Sequence, residues 1–259
     1  MAVALVSLVA RGEEPLKILS YNLRFGELAT VEQLGDFVAS QEADFVALQE
    51  CDWATKRERA PHQHGVKFVN EIAHRAGMFG LYGKAINYKG GYYGVGILSR
   101  YPIIKSERVL LPQKPKTEQR TLLVATAELP SGDLLTFVST HLEVSSSEAR
   151  MEQVEFINHY FDEWPYPVIL VGDMNAEPHT KEMQALVEAG WKNMTNEEKT
   201  YSTKAPKIKI DYIFYRGARP VELRKTEGVE WCTLSDHFPV LSVIDIKYTK
   251  QHKQTKQTY

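Results

Sequence analysis

The sequence predicts one α+β domain, on three observations: short apolar runs of strand character, a few amphipathic segments with capping signals, and no composition shift that marks a linker. At 259 residues, 43% hydrophobic and 25% charged, the chain can bury a large core, and β-rich folds of this size commonly form a single domain. That domain is expected over residues 13–248, with no internal repeat. Thr30-Val31-Glu32-Gln33 reads as a capping box and predicts a helix over 31–40. Ser145-Ser146-Ser147-Glu148 reads as a second, predicting a helix over 146–162 whose Val154, Phe156, Ile157, Tyr160 and Phe161 recur at helical spacing as a core face. Further helices are expected from Val66 to Arg75 and from Thr180 to Ala189.

The strand-like runs carry the chemistry at their ends. Pro167-Val168-Ile169-Leu170-Val171-Gly172 is apolar and stops abruptly at Asp173-Met174-Asn175. In an extended segment, residues i and i+2 face the same side, so Asp173 and Asn175 are expected to converge as a base beside a hydrogen-bond donor. Alone, Asp-x-Asn is most simply a polar turn after a core strand. It has companions, however. The run from Leu16 ends at Asn22, the run from Asp44 ends at Leu48-Gln49-Glu50, and Leu134 to Thr140 ends at His141. Asp211 opens the apolar Ile210-Asp211-Tyr212-Ile213-Phe214, and Asp236-His237 precede the last apolar run.

Asn22, Leu48-Gln49-Glu50, Ser139-Thr140-His141-Leu142, Gly172-Asp173-Met174-Asn175, Ile210-Asp211-Tyr212-Ile213 and Ser235-Asp236-His237 resemble, in order and spacing, the endonuclease/exonuclease/phosphatase superfamily. The resemblance spans about residues 16–246, and residues 83–103 are similar to the small bacterial metal-dependent hydrolases of that group. It implies two stacked mixed β-sheets flanked by helices, a four-layer α/β/β/α sandwich of the deoxyribonuclease type with the site at one end. It also implies roles. Glu50 and Asn22 would bind a metal, with Asp236 on the same side. Asp173 would activate or orient the attacking water, Asn175 would hold a phosphate oxygen, Asp211 would orient a cationic His237, and His141 would be a second donor to phosphate. A carboxylate with a neutral oxygen donor suits Mg²⁺, with Mn²⁺ as substitute, better than zinc, and no Cys/His zinc spacing occurs.

One departure concerns His141. In deoxyribonuclease-like members a mid-chain carboxylate pairs with the matching histidine, whereas here the comparable stretch offers Tyr92 and Tyr93. Arg120 and Arg150 are candidate contacts for an anionic substrate, read as solvated surface residues and kept outside the site.

Charge bears on the substrate. With 31 Lys and Arg against 33 Asp and Glu the net charge is -2, and no basic stripe interleaved with aromatics appears, so nucleic acid is disfavoured as a partner. Lys114, Lys116 and Arg120 in one loop and Lys204, Lys207 and Lys209 in another can form a local basic rim. The expected function is a Mg²⁺-dependent phosphoesterase, acting as a monomer on a phosphodiester or phosphomonoester of a small-molecule or phospholipid-type substrate. The alternatives are a nuclease and a non-catalytic binding module. Residues 2–10 are too short to span a bilayer but fit the apolar region of a signal peptide, so residues 1–12 favour export despite lacking a basic leader. Residues 249–259 read as a polar tail, and Cys51 and Cys232 as buried thiols rather than a disulfide.

Overall fold

In chain order the elements are β1 (Leu16–Asn22), α1 (Val31–Ser40), β2 (Phe45–Trp53), α2 (Phe68–Ala76), β3 (Phe79–Tyr88), β4 (Gly91–Ser99), β5 (Ile103–Leu110), β6 (Thr121–Glu128), β7 (Leu134–His141), α3 (Ser147–Tyr160), β8 (Val168–Asp173), α4 (Lys181–Glu188), β9 (Lys192–Asn193), β10 (Asp211–Arg216), β11 (Val221–Gly228) and β12 (Val240–Ile246). They belong to a computed structural model that describes residues 15–229 and 232–247. The signal-peptide and polar-tail expectations lie outside the described residues.

Two sheets of six strands, ordered β11-β12-β1-β2-β4-β3 and β5-β6-β7-β8-β10-β9, make up the centre. Each is antiparallel except for one parallel pair near its middle, β1 with β2 and β7 with β8. Three apolar clusters separate the layers. Ile18, Phe45, Ile97, Phe137, Ile169, Ile213 and Ile244 meet between the sheets, where Phe45 and Phe137 stack at 5.0 Å. Leu34, Phe37 and Val38 of α1 and Val69 and Ile72 of α2 cover the first sheet, and Val154, Ile157, Met183 and Leu186 of α3 and α4 cover the second. The result is the α/β/β/α sandwich that the resemblance implied. Strands buried on both faces need near-continuous apolar runs, which explains why Val168–Asp173 and Leu16–Asn22 read so plainly.

The first capping box forms as read: Thr30 Oγ1 accepts from Gln33 N at 3.3 Å and Gln33 Oε1 accepts from Thr30 N at 2.9 Å. The second does not form as a box, and a single cap one residue later takes its place. Ser146, not Ser145, caps α3 by accepting from Ala149 N, because the Ser145 N–H and hydroxyl both donate to the buried Glu143.

A parallel pair sends both C-terminal ends to one edge, and each sheet does this once. Asn22 and Gln49 are neighbours across β1/β2, and His141 and Asp173 are neighbours across β7/β8. The close approach of β7 to β8 depends on Gly172, where an added Cβ would lie 2.0 Å from the carbonyl oxygen of Thr140. Gly172→Ala is therefore expected to destabilise the fold by about 3 kcal/mol, the upper end for overpacking, in urea unfolding followed by circular dichroism. An unchanged midpoint would show that the strands can separate freely.

Candidate active site

Asn22, His141 and Asp173 reach one edge of the sandwich as the last residues of β1, β7 and β8. Glu50 arrives differently. β2 continues past it to Trp53, and a bulge between Leu48 and Cys51 sets Gln49 and Glu50 opposite the single Val95 of β4. With φ 55, Glu50 turns toward the cavity instead of following the strand alternation. Asp211 opens β10 directly opposite Asp173 in the antiparallel β8/β10 pair.

Asn175 corrects the expected strand geometry. β8 ends at Asp173, and Asn175 lies in a left-handed turn with φ 48, its N–H donating to Asp173 Oδ1 at 2.9 Å. Its side-chain Nδ2 donates to Leu142 O at 3.0 Å. The two side chains still line one cavity, placed by this turn and not by an i, i+2 strand relation.

Asp173 Oδ2 is the focus. Asn22 Nδ2 donates to it at 3.1 Å, His141 Nε2 lies 3.5 Å away and His237 Nε2 3.7 Å away. Burial, and then the carboxylate of Asp211, push the Asp173 pKa well up, while His237 and the donors Asn175 and Asn22 pull it back. His237 donates from Nδ1 to Asp211 Oδ2 at 3.0 Å. Burial alone would lower its pKa, yet Asp211 and then Asp173 prevail and raise it to about 9, so the imidazole is cationic at neutral pH.

His141 is the opposite case. Its Nδ1 faces Arg120 Nη1 at 3.1 Å, and a guanidinium only donates, so Nδ1 accepts and Nε2 carries the single proton. Burial, then Arg120 and His237, push its pKa well below the usual range. His141 is thus a neutral donor through Nε2, without the partner carboxylate of deoxyribonuclease-like members.

Arg120 corrects the reading of a solvated surface arginine. It is 5% exposed, lines the cavity, and lies 3.2 Å from Glu118 and 3.7 Å from Glu143. Its position just before β6 was a usable signal, since the other site residues also sit at strand ends. Arg150, by contrast, pairs with the buried Glu182 at 3.0 Å and donates to the carbonyls of Glu143 and Val144, a structural brace. Lys209 leaves the expected basic rim: it is buried and donates to Thr195 Oγ1 at 2.6 Å. Of the two tyrosines, Tyr93 is buried and lines the cavity, while Tyr92 is exposed beneath Lys84. Both cysteines are free and buried.

The metal-side residues fit a hard cation. Glu50, Glu118, Asp173 and Asp236 line the cavity against two cationic side chains, Arg120 and His237, so its wall carries an excess of oxygen donors. Asn22 is fully buried between Glu50 and Asp173, but it turns its amide nitrogen to their carboxylates while Arg24 N occupies its Oδ1. A half-turn of the amide would present oxygen instead. Asp236 is ion-paired with Arg24. Asp173, Asp211 and His237 also place one donor each within 4.8 Å of one another, though His237 and Asp211 already satisfy each other.

The cavity has a volume of about 430 Å³. The family model of the endonuclease/exonuclease/phosphatase family matches residues 19–237. The chain belongs to that family. Members hydrolyse phosphoester bonds, and this chain is an enzyme of that class. It is similar to Uncharacterized protein YbhP of Escherichia coli (strain K12), 24% identical over 172 residues covering 64% of this chain and 68% of YbhP. Among solved structures, an endonuclease/exonuclease/phosphatase from Beutenbergia cavernae matches with TM-score 0.76 at 18% identity, over 90% of this chain and 72% of that one. A mannosyl-6-phosphatase of Bacteroides thetaiotaomicron matches with TM-score 0.69 at 17% identity, over 90% of this chain and all 100% of that one. D. rerio TDP2 bound to a single-strand DNA product matches with TM-score 0.68 at 22% identity, over 90% and 100%. At these identities the structural matches establish the shared fold. No helix among the described residues is long and apolar enough to cross a membrane.

Proposed function

We propose that the chain is a Mg²⁺-dependent phosphoesterase acting on a small-molecule or phospholipid-type phosphate ester. The observation that carries this reading is the convergence of His141, His237 and Asn22 on the buried carboxylate of Asp173. Asp173 holds the attacking water and takes its proton, a task suited to a carboxyl whose pKa is raised toward neutrality. His237 as imidazolium and His141 through its Nε2–H donate to the phosphate oxygens, where negative charge builds in the transition state. Asp211 holds the His237 ring in place and keeps it charged. Asn175, fixed by its turn, supplies a further amide N–H. Glu50 and Asn22, with Asp236 beside them, would hold the cation, which when bound neutralises phosphate oxygen charge.

The cavity supports a small substrate. Its volume, about 430 Å³, is that of a small-ligand site, and Val144, Tyr201, Ile208 and Ile210 give it an apolar flank. Nucleic-acid grooves instead present clustered cations along the backbone path. The test is turnover of a panel of small phosphomonoesters and phosphodiesters beside single- and double-stranded DNA, from low to high salt. Metal-dependent cleavage of a small ester, with weak DNA binding that changes little with salt, is expected. DNA cleavage with a steep salt slope in binding would move the assignment to a nuclease.

A further inference from the structure

Arg120 and His237 are the two cationic side chains of the cavity wall, and each is already held by the protein. His237 donates to Asp211 at 3.0 Å. Arg120 Nη1 lies 3.2 Å from Glu118 Oε1, and its Nε, 3.7 Å from Glu143 Oε2, is buried without a hydrogen-bond partner. The two glutamates differ in what they can still do. Glu143 is 2% exposed and committed: Oε1 accepts from the Ser145 N–H and hydroxyl, and Oε2 from Glu118 N. Glu118 is open. Its side chain is 37% exposed, it lines the cavity, and Arg120 is its one close side-chain partner among the described residues.

An open carboxylate beside a guanidinium has two consequences for a ligand. It accepts hydrogen bonds from hydroxyl groups, and it repels any second anion placed beside the phosphate that His141 and His237 receive. Among the described residues, no further cationic side chain lines the cavity to offset that repulsion. We propose that Glu118 sets substrate specificity, accepting from a hydroxyl adjacent to the phosphate and rejecting a second phosphate. The substrate class is then a singly phosphorylated, hydroxyl-bearing molecule. This rests on the phosphoesterase reading and narrows it.

The test is a calorimetric titration of the full chain in Mg²⁺ with myo-inositol 4-phosphate and with myo-inositol 4,5-bisphosphate, whose second phosphate replaces a hydroxyl on the neighbouring carbon, in an Asp173→Asn background so that ligand is not consumed. The monophosphate is expected to bind about tenfold more tightly than the bisphosphate, the scale of one like-charge contact in a partly buried site. Glu118→Gln, close in shape and lacking the charge, is expected to abolish or invert that preference. Glu118→Asp, which keeps the charge, is expected to retain it, separating charge from a structural role. Equal binding of the two esters by the parent, or a preference unchanged in Glu118→Gln, overturns the role of Glu118 and leaves the phosphoesterase reading standing. Binding of neither ester by the folded, Mg²⁺-loaded parent overturns the proposed substrate class, while the phosphoesterase reading is decided by the metal-dependent turnover of the generic esters.

Discussion

Replacing Asp173 by Asn is expected to lower kcat by about a thousandfold, within the range for loss of a positioned general base, with a much smaller change in KM. The amide keeps the shape of the carboxyl but cannot take the proton of an attacking water. The variant is not expected to unfold. Asp173 is a buried carboxyl held against Asp211, a pairing whose direction of pKa shift marks an unfavourable charge in the folded chain. Removing that charge should leave stability equal or raised in urea unfolding, so a large loss of rate with an intact midpoint isolates the chemical role. Parallel loss of rate and midpoint would assign Asp173 to structure instead.

The second large effect concerns Asp211. Asp211→Asn is expected to lower kcat by about a hundredfold at neutral pH, because His237 loses the partner that keeps it charged and aligned. The sign of the pH dependence follows from the raised pKa. His237 holds its proton up to about 9 in the folded chain against 6.5 ordinarily, so its charge is present at low pH and disappears as pH rises through about 9. The stability from the His237/Asp211 pair is likewise complete below 6.5 and is lost between 6.5 and about 9. In kcat/KM against pH, the alkaline limb of the wild type should move to lower pH in Asp211→Asn. A limb that stays in place would show that another group titrates there.

Most of the candidate site was legible because its residues lie where buried strands end. Asn22, His141 and Asp173 each terminate an apolar run, and a buried strand that stops at a polar residue announces itself without knowledge of its neighbours. What escaped depends on partners distant in sequence. The bulge that turns Glu50 inward is defined by the register against β4, where Leu48 pairs with Gly96 and Cys51 with Gly94, which no local pattern in β2 reveals. Asn175 was placed on the right cavity for the wrong reason, since its left-handed turn replaces the strand alternation that the sequence suggested. Arg120 read as a surface residue because its burial comes from Glu143 and His141, on and just after β7. The neutral state of His141 follows from that same contact. Lys209 was misread in the same way: its burial beside Thr195 is a tertiary fact.

The most direct measurement is hydrolysis of bis(p-nitrophenyl) phosphate and of p-nitrophenyl phosphate with Mg²⁺, with EDTA, and by Glu50→Gln. Turnover of at least one ester that needs Mg²⁺, stops in EDTA and is lost in Glu50→Gln is expected. Turnover that persists in EDTA and in a folded Glu50→Gln would contradict the assignment of a metal-dependent phosphoesterase centred on Glu50 and Asp173.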